Sequence, residues 1–469
     1  MTGAPKAWTV LEVLQATNGR MVSGNDETRF QAISIDSRTT KAGDLFIAIS
    51  GEKHDGHNFL RDAFHRGALG VLVAEDYINR QSPVPKQEEL WMAVPDTLRA
   101  LGNLAAFRRR RSDVSVVAIT GTNGKTTTKE MTATVLGQAF KVLKTPGNFN
   151  NLIGLPLTLF GLSDRHDWAV LELGMNRPGE IRRLAEIASP DLGVITNVEP
   201  GHLAGVKDIH GVMEAKGELL EGLGKDGTAV LNIDDPRVCR LSERFAGRVV
   251  TFGIHNSAEV SGTPVSQTRT HSSFDLSWYD ESVRVALKVL GKGAIYNALA
   301  AAAVGYRVGL SMEEVKKGLE SAISLPGRME ISTLSGGMHL IDDTYNANPG
   351  SVAMAIETLC ALKGGGRGIF VIGEMMELGQ HARNAHKQIG ILAARAGMAG
   401  IYATGEFAGT VAEGALGAGM DPGKIFVGTR EQIVEALKRR SGPGDWILVK
   451  GSRLMAMEKV IEGLRINDK

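Results

Sequence analysis

Short apolar runs rich in β-branched residues alternate along this chain with longer stretches in which apolar positions recur at helical spacing. Val114 to Ile119 is the clearest apolar run, and such runs are typical of strands buried on both faces of a parallel sheet. A glycine-rich turn and a helical stretch to about Phe140 follow it. Strands that alternate with helices in this way predict a mostly parallel sheet covered by helices on both faces.

The alternation divides the chain into three blocks, in agreement with the roughly three domains expected for 469 residues. Residues 1–111 hold short strand-like runs and a helical stretch at Thr97 to Arg110. Residues 112–324 form the second block, and residues 325–469 repeat the alternation of strands and helices. We therefore predict an α/β fold of three domains: a small N-terminal α/β domain, a central domain on a mostly parallel sheet, and a C-terminal Rossmann-like, doubly wound domain.

Composition narrows the classes of function. The 53 basic and 52 acidic residues leave a formal net charge of +1, which argues against a protein that coats nucleic acid or an anionic membrane. The two cysteines, Cys239 and Cys360, exclude a disulfide framework and lack the clustered spacing of a zinc site. The run Arg108 to Arg111 is interpreted as a solvated helix end beside a linker.

The sequence also bears on where the protein works. Met1 to Glu12 has no basic segment followed by a long apolar run, and no stretch reaches the ~18 uninterrupted apolar residues of a membrane-spanning helix. We therefore expect a cytoplasmic protein without a signal peptide or a membrane span. We also expect a monomer that does not bind nucleic acid.

The segment Gly121-Thr122-Asn123-Gly124-Lys125-Thr126-Thr127-Thr128 has the chemistry of a phosphate-binding loop. It follows a predicted buried strand and opens a predicted helix, which is the context that such a loop requires. Its glycines let backbone N–H groups approach phosphate oxygens, and the helix N-terminus adds partial positive charge. Lys125 can reach the β and γ phosphates, and the Thr126 hydroxyl can ligate Mg²⁺. The common P-loop begins with a glycine where Ile119 stands, so the central domain is predicted to be a P-loop domain of a shortened type.

Other polar residues of the central block allow more than one interpretation. Glu172 ends a predicted strand at the sheet edge where ligands bind, so it can complete a Mg²⁺ shell, or it can be a surface glutamate. On chemistry alone, His202 is a solvated or structural loop histidine and Lys216 is an exposed helix lysine. Asn151 can cap the helix that follows it.

The phosphate loop resembles the ATP loop of the Mur ligases, the family that builds the peptide stem of bacterial peptidoglycan. Further runs resemble the central domain of that family in the same order: Thr145-Pro146-Gly147-Asn148-Phe149-Asn150-Asn151, Glu172-Leu173-Gly174-Met175-Asn176 and Ala215-Lys216-Gly217-Glu218. Two runs of the third block resemble the family member that adds D-alanyl-D-alanine: Asp342-Asp343-Thr344-Tyr345-Asn346-Ala347-Asn348-Pro349 and Gly373-Glu374-Met375-Met376-Glu377-Leu378-Gly379. The resemblance covers all three blocks.

The resemblance implies an ATP-dependent, ADP-forming ligase of peptidoglycan synthesis. Its implied substrates are UDP-N-acetylmuramoyl-tripeptide and D-alanyl-D-alanine, and its implied cofactors are ATP and Mg²⁺, with an acyl phosphate as the intermediate. The alternatives are another amide ligase of the family, either the tripeptide-forming ligase or folylpolyglutamate synthase, and a P-loop ATPase that acts as a switch. The ligases that add meso-diaminopimelate carry an Asp-Asn-Pro-Arg run, which this chain lacks.

The resemblance also implies roles for single residues. The implied catalytic residues are Lys125, Lys216 and His202. The implied metal ligands are Thr126, Glu172, His202 and Lys216, the last as a carbamylated lysine. The implied nucleotide contacts are Gly121, Thr122, Asn123, Gly124, Lys125, Thr126, Thr127, Asn297, Arg328 and Asp343.

The substrate contacts implied by the resemblance lie in all three blocks. Ser37 and Arg38 are expected to bind the uridine nucleotide, with the alternative that their segment forms only turns and strand ends. Asn151 is expected near the γ-phosphate and the substrate. Tyr345, Asn346 and Asn348 are expected at the incoming dipeptide. On the adenine side, Gly293 and Ala294 stand where the family has His and Asn, and only Asn297 of that set is kept.

Overall fold

A computed structural model describes residues 6–51, 54–81, 89–201, 203–334 and 336–466 of the chain. Three separate sheets, each with its own helices, follow one another along the sequence. This arrangement confirms the predicted α/β class. The proposed domain boundaries, 111/112 and 324/325, both lie in segments between helices and strands.

The first domain is built on a five-stranded sheet in the order β2-β7-β6-β5-β4, in which β4 to β7 are parallel and β2 is antiparallel to β7. A small antiparallel ribbon pairs β1 with β3. The elements are β1 Trp8–Thr9, α1 Val10–Thr17, β2 Arg20–Ser23, β3 Arg29–Phe30, β4 Ile33–Ser34, β5 Leu45–Ile47, α2 Leu60–His65, β6 Gly70–Ala74, α3 Glu75–Gln81, β7 Leu90–Val94 and α4 Thr97–Arg110.

The second domain is built on a nine-stranded sheet in the order β16-β15-β14-β13-β12-β11-β8-β10-β9, parallel from β9 to β14 and antiparallel from there to β16. Its strands are β8 Ser115–Thr120, β9 Val142–Lys144, β10 Trp168–Glu172, β11 Leu192–Ile195, β12 Thr228–Asn232, β13 Arg248–Gly253, β14 Val260–Gln267, β15 Ser272–Trp278 and β16 Glu281–Leu287. Its helices are α5 Lys125–Leu136, α6 Gly154–Phe160, α7 Glu180–Ala188, α8 Leu203–Val206, α9 Ile209–Glu221, α10 Pro236–Ser242, α11 Lys292–Arg307 and α12 Met312–Ser321.

The third domain is built on a six-stranded sheet in the order β17-β18-β22-β19-β20-β21, parallel except for β17. Its strands are β17 Glu330–Thr333, β18 His339–Asp343, β19 Gly368–Ile372, β20 Gly400–Ala403, β21 Ile425–Val427 and β22 Trp446–Lys450. Its helices are α13 Pro349–Lys363, α14 Ala382–Arg395, α15 Ala408–Gly417, α16 Arg430–Arg440 and α17 Glu458–Arg465.

The central strand β8 is buried on both faces, as its apolar sequence predicts. Val116 and Ala118 belong to an apolar cluster with α6, α7 and α9, whereas Val117 and Ile119 belong to a cluster beneath α5 and α11. Successive side chains of a strand point to opposite faces, so an uninterrupted apolar run supplies both clusters. The strand order reverses beside β8, which places the loop after it at the switch point where α/β sheets bind ligands.

One arginine of the run Arg108 to Arg111 contradicts the solvated helix end predicted from sequence. Arg109 is buried, and its guanidinium donates to the carbonyls of Ala188 at 2.9 Å and Ser189 at 3.1 Å. It also lies 3.3 Å from the carboxylate of Asp191. The open carbonyls at the end of α7 attract this cation, and the contact joins α4 of the first domain to α7 of the second.

Within the described ranges, no helix is long and apolar enough to cross a membrane.

Candidate active site

The phosphate loop lies between β8 and α5, as predicted, and both of its glycines are needed there. Gly124 has φ of +82°, and a Cβ on it would lie 2.2 Å from Oδ1 of Asn297. Gly121 has φ of +149°, and its Cβ would lie 1.8 Å from Oγ1 of Thr196. Any side chain at either position would push the loop off the sheet edge.

The backbone N–H groups of this loop divide into two sets. Thr122 donates to the carbonyl of Asn197 at 3.0 Å, and Asn123 donates to the side-chain Oδ1 of Asn197 at 2.9 Å. The first-turn amides of α5, at Lys125, Thr126 and Thr127, follow directly and these residues line a cavity. First-turn amides have no partner inside their own helix, so they favour an anion in that cavity.

Lys125 is half-buried and folds back over the loop that it follows. Its Nζ donates to the carbonyl of Gly121 at 2.9 Å and to that of Thr122 at 3.1 Å. Burial lowers the pKa of Lys125 below its usual value, while the charge of Glu172 raises it and that of Arg328 lowers it further. An anion in the cavity would add to the negative charge that Glu172 already places near this ammonium group.

The cavity has a volume of about 570 Å³, within the roughly 300–1,000 Å³ of small-molecule sites. All three domains line it, the first through Leu98 of α4. The structure brings together most of the residues predicted from sequence, namely Thr122, Asn123, Gly124, Lys125, Thr126, Thr127, Asn151, Glu172, Asn297, Arg328, Asp343, Tyr345, Asn346 and Asn348. Gly121 lies just behind them, with its carbonyl bound by Lys125.

Glu172 ends β10 and is only 2% exposed, so it is not a surface glutamate. Its Oε1 accepts from Nδ2 of Asn150 at 2.8 Å, and its backbone N–H donates to Oγ1 of Thr145 at 3.0 Å. Its Oε2 is buried and has no hydrogen-bond partner among the described residues. An orphaned carboxylate oxygen beside a phosphate loop fits a divalent cation, since Mg²⁺ prefers carboxylate ligands.

The adjacent residues Asn150 and Asn151 make different contacts, which the sequence did not predict. Oδ1 of Asn151 accepts from the backbone N–H of Ile153 at 3.1 Å and of Gly154 at 2.9 Å, so this residue caps α6. Asn150 belongs to the same run, which the family resemblance placed at the γ-phosphate side, and its side chain is the one that binds Glu172. Asn151 still lines the cavity, and its predicted substrate contact stays a prediction.

Lys216 is buried at 2% exposure on α9, which contradicts its interpretation as an exposed helix lysine. Within the described part of the chain no hydrogen bond or carboxylate satisfies its Nζ. Burial, together with the nearby charge of Lys125, holds the pKa of Lys216 well below its usual value. His202, the other residue predicted to share its metal, lies outside the described residues.

The predicted metal ligands do not form a site from side chains alone. Among the described residues, no cluster of three or more His, Cys, Asp or Glu side chains could hold a metal ion. The Thr126 hydroxyl accepts from Nη2 of Arg328 at 3.0 Å. A metal at Glu172 and Thr126 would therefore need further ligands from a nucleotide or from a modified side chain.

Arg328 reaches the phosphate loop from the segment that joins the second and third domains. Its guanidinium lies over the ring of Tyr345, 4.0 Å from the ring centroid, while it donates to Thr126. The stacking fixes the plane of the guanidinium, and a fixed planar cation is suited to clamp phosphate oxygens.

Lys450 was missed by sequence reasoning, although it ends β22 at the cavity. Its Nζ donates to Oδ2 of Asp343 at 2.5 Å and to the carbonyl of Asn346 at 2.9 Å. The lysine side chain is 3% exposed and the aspartate side chain 13%. The ion pair therefore fixes residues 343–348, the loop that carries Tyr345, Asn346 and Asn348 and that we call the acceptor loop. A charged residue at the end of an apolar strand is the sequence signal that could have identified Lys450.

We expect Lys450→Met to destabilise the protein by about 3 kcal/mol, because it leaves the largely buried Asp343 carboxylate without its partner. The measurement is the free energy of unfolding of the third domain in urea. Lys450→Met combined with Asp343→Asn should recover part of that loss, since both charges are then absent. A single variant within 1 kcal/mol of the parent would contradict the assigned ion pair.

The part of the cavity where the sequence analysis predicted the adenine contacts is formed by α11 and α13. Oδ1 of Asn297 accepts from the Thr128 hydroxyl at 3.2 Å. This hydrogen bond connects Asn297, the one predicted adenine contact that the sequence retains, to α5. Gly293 and Ala294 line the cavity together with Met354, and a Cβ on Gly293 would lie 3.4 Å from the Met354 sulfur. An apolar contact thus replaces the polar side chains that the family places there.

Ser37 and Arg38 are not among the residues that line the cavity. Ser37 is buried at 8% exposure, whereas the Arg38 side chain is 85% exposed and pairs with Asp36 at 2.7 Å. This pair lowers the pKa of Asp36 to about 2. The structure therefore does not bring these two residues to the phosphate loop, and their predicted uridine contacts stay predictions.

The chain matches family models along most of its length. Residues 29–109 match "Mur ligase family, catalytic domain", residues 119–305 match "Mur ligase middle domain", and residues 327–453 match "Mur ligase, glutamate ligase domain". The three matched segments follow the same order as the three sheets.

Full-length relatives and solved structures agree with these matches. The chain is 34% identical to UDP-N-acetylmuramoyl-tripeptide–D-alanyl-D-alanine ligase of Bacillus subtilis, over 97% of this chain and 98% of the relative. It is 35% identical to the ligase of the same name from Escherichia coli, over 98% of both chains. A crystal structure of MurF from Acinetobacter baumannii superposes with a TM-score of 0.90 at 30% identity, covering 98% of this chain and 99% of that one. MurF from Thermotoga maritima in complex with ADP gives a TM-score of 0.83 at 27% identity, covering 92% and 97%.

Proposed function

This chain belongs to the Mur ligase family, and we propose that it is the ATP-dependent, ADP-forming ligase that joins D-alanyl-D-alanine to UDP-N-acetylmuramoyl-tripeptide in peptidoglycan synthesis. The observation that carries the proposal is the match over nearly the full length of both chains to relatives bearing that name. The cavity supports it, because a phosphate loop, an unpartnered buried carboxylate oxygen and the acceptor loop all face one space.

The chemistry requires activation of a carboxylate. A free carboxylate is a poor electrophile, so the tripeptide carboxylate first attacks the γ-phosphorus of ATP, forming an acyl phosphate and releasing ADP. The amine of the dipeptide then attacks the acyl carbon, and the tetrahedral intermediate collapses with loss of phosphate. Lys125, the first-turn amides of α5 and Arg328 would hold the phosphoryl oxygens and stabilise the charge that develops on them.

The residues present fit the Mg²⁺ that this chemistry requires. Glu172 offers the unpartnered Oε2, and Thr126 offers a hydroxyl oxygen that accepts from Arg328 in this structure. When bound, the ion would neutralise phosphate charge and favour attack on phosphorus. Asn150 holds the other carboxylate oxygen of Glu172 and so fixes the direction of the free one.

We further propose that Lys216 carries a carbamate, as the family resemblance implies. Its amine is buried without a counter-charge among the described residues, which is a costly place for an ammonium group. The neutral amine attacks the carbon of carbon dioxide and releases a proton to solvent, and the carbamate anion so formed would lie near Lys125. The modified side chain would then supply the further oxygen ligands that the metal site needs.

The two organic substrates are assigned to two sets of residues, one in the cavity and one in the first domain outside its lining. Tyr345, Asn346 and Asn348 of the acceptor loop are proposed to meet the dipeptide, and Ser37 and Arg38 to meet the uridine nucleotide. Because one chain contributes every residue of this set, we propose that the enzyme works as a monomer. It is proposed to act in the cytoplasm, where its substrate ATP is present.

The test is a panel of donors and acceptors with the purified protein and ATP. UDP-N-acetylmuramoyl-tripeptide with D-alanyl-D-alanine should give the UDP-linked pentapeptide, detected by mass spectrometry. UDP-N-acetylmuramoyl-dipeptide with a single amino acid should give no product, and folate with glutamate should give none. A product from either of those two pairs alone would instead favour the tripeptide-forming ligase or folylpolyglutamate synthase.

A further inference from the structure

The second and third domains meet at the first turn of α13, directly beside the phosphate loop. Nδ2 of Asn123 donates to Oδ1 of Asn348 at 3.2 Å, and Nδ2 of Asn348 donates to Oδ1 of Asn123 at 2.7 Å. The two side chains thus form a reciprocal amide pair, although 225 residues separate them in the sequence. A residue of the phosphate loop is thereby bound to the last residue of the acceptor loop.

Glu199 strengthens this contact from the segment that follows β11. Its Oε2 accepts from Nδ2 of Asn123 at 2.9 Å, and its backbone exchanges two hydrogen bonds of 3.0 Å with the Thr122 hydroxyl. A Cβ placed on Gly350 would lie only 1.5 Å from the same Oε2. The carboxylate therefore packs directly against the first turn of α13, where the helix dipole favours a negative charge.

Asn348 and Asn123 are each held in place by hydrogen bonds within their own domain. Oδ1 of Asn348 caps α13 by accepting from the backbone N–H of Ser351 at 2.9 Å, which leaves its amide nitrogen for Asn123. The carbonyl of Asn123 accepts from Oγ1 of Thr196 at 2.7 Å and from Nδ2 of Asn197 at 3.1 Å. A shift of the phosphate loop would therefore move α13 and the acceptor loop with it.

We propose that Glu199 and Gly350, together with the Asn123–Asn348 amide pair, set the distance between the phosphate loop and the acceptor loop. Glu199 and Gly350 are positioning residues, because they act through Asn123 and Asn348. The inference rests on the proposed function and deepens it, because it assigns the contact that presents the incoming amine to the acyl phosphate. Loosening the contact should weaken use of the acceptor more than binding of ATP.

Gly350→Ala is the sharpest test of this contact. The residue is helical, so alanine favours the helix itself, but its methyl group would force the Glu199 carboxylate away from Asn123. We expect the KM for D-alanyl-D-alanine to rise about tenfold, with the Kd of ADP, measured by calorimetry, within twofold of the parent. Gly409→Ala is the matched control, because Gly409 lies in helix α15 with nothing within 4 Å of an added Cβ.

A double-variant cycle identifies Glu199 as the partner. Glu199→Ala removes the group that the new methyl would strike, so Gly350→Ala should have less than a twofold further effect in that background. Effects that multiply instead would show that the two residues act separately and would overturn the proposal. An acceptor KM unchanged in Gly350→Ala would overturn it as well.

Hydrogen exchange provides a measurement that does not depend on the reaction. The amides of residues 350–355 should exchange faster in Gly350→Ala than in the parent, even though alanine alone would slow exchange in a helix. Slower or unchanged exchange would overturn the proposed contact. A parent enzyme that forms no product with D-alanyl-D-alanine would contradict the proposed function, while the exchange result would still decide the contact.

Discussion

Lys125→Ala is expected to reduce ligation by about 10²–10³-fold or more, the effect of removing one preorganised charge stabiliser from a transition state. The variant loses the cation that folds over the phosphate loop and that we propose to contact the transferred phosphoryl group. Among the residues that the structure describes, its Nζ donates to the carbonyls of Gly121 and Thr122 alone, and water can satisfy both after the substitution. The melting temperature should therefore change little while turnover at saturating ATP is lost.

The control for Lys125→Ala is Lys317→Ala, which removes an exposed lysine from α12 outside the cavity. That variant should keep the turnover of the parent. It therefore shows whether the loss of any one positive charge from the protein lowers turnover. Near-normal turnover of Lys125→Ala at saturating ATP would contradict the role of the loop. A large fall in its melting temperature would show a structural role in place of a catalytic one.

Lys216→Ala is expected to be nearly inactive, with turnover lowered by about 10²–10³-fold if the carbamate supplies metal ligands. Short-chain carboxylates such as acetate should recover part of the activity, because the alanine leaves room for an anion at the same place. Lys216→Met fills that room and should not respond to added carboxylate. Turnover across an acetate titration is the measurement that separates the two variants.

A second observable of Lys216 is independent of turnover. Protein equilibrated with ¹³C-labelled bicarbonate should show a carbamate carbon signal by NMR, and Lys216→Ala should lack it. Lys225→Ala removes an exposed lysine just after α9 and should keep both the signal and the activity. A fully active Lys216→Ala, or a labelled parent without the signal, would contradict the carbamate.

The sequence predicted best those features that depend on residues close together in the chain. Helix α4 occurs at the predicted residues Thr97–Arg110, because the side chain of Asp96 caps its first turn. The strand–glycine loop–helix order likewise located the phosphate loop. Helix α15 was missed, since its alternating alanine and glycine give little propensity and it is held by packing on α14. The antiparallel strands β14 to β16 were missed as well.

Long-range contacts could not be predicted from the sequence. Helical periodicity places Lys216 on a helix but does not state what covers it, so its burial was not foreseen. Arg109 was interpreted as solvated because its acceptors, the last carbonyls of α7, belong to a distant segment. Lys450 and the contact of Asn150 with Glu172 were not predicted for the same reason, since both depend on partners that are distant in the sequence.

The central claim is that cleavage of ATP to ADP and phosphate is coupled to the joining of two specific substrates. The most direct test is the release of phosphate by the purified protein, measured together with the UDP-linked pentapeptide while each substrate is omitted in turn. The account predicts one phosphate for each pentapeptide formed, and near-background release without UDP-N-acetylmuramoyl-tripeptide or without D-alanyl-D-alanine. Phosphate release that continues at the same rate without the dipeptide would contradict the account and would identify a P-loop ATPase in place of a ligase.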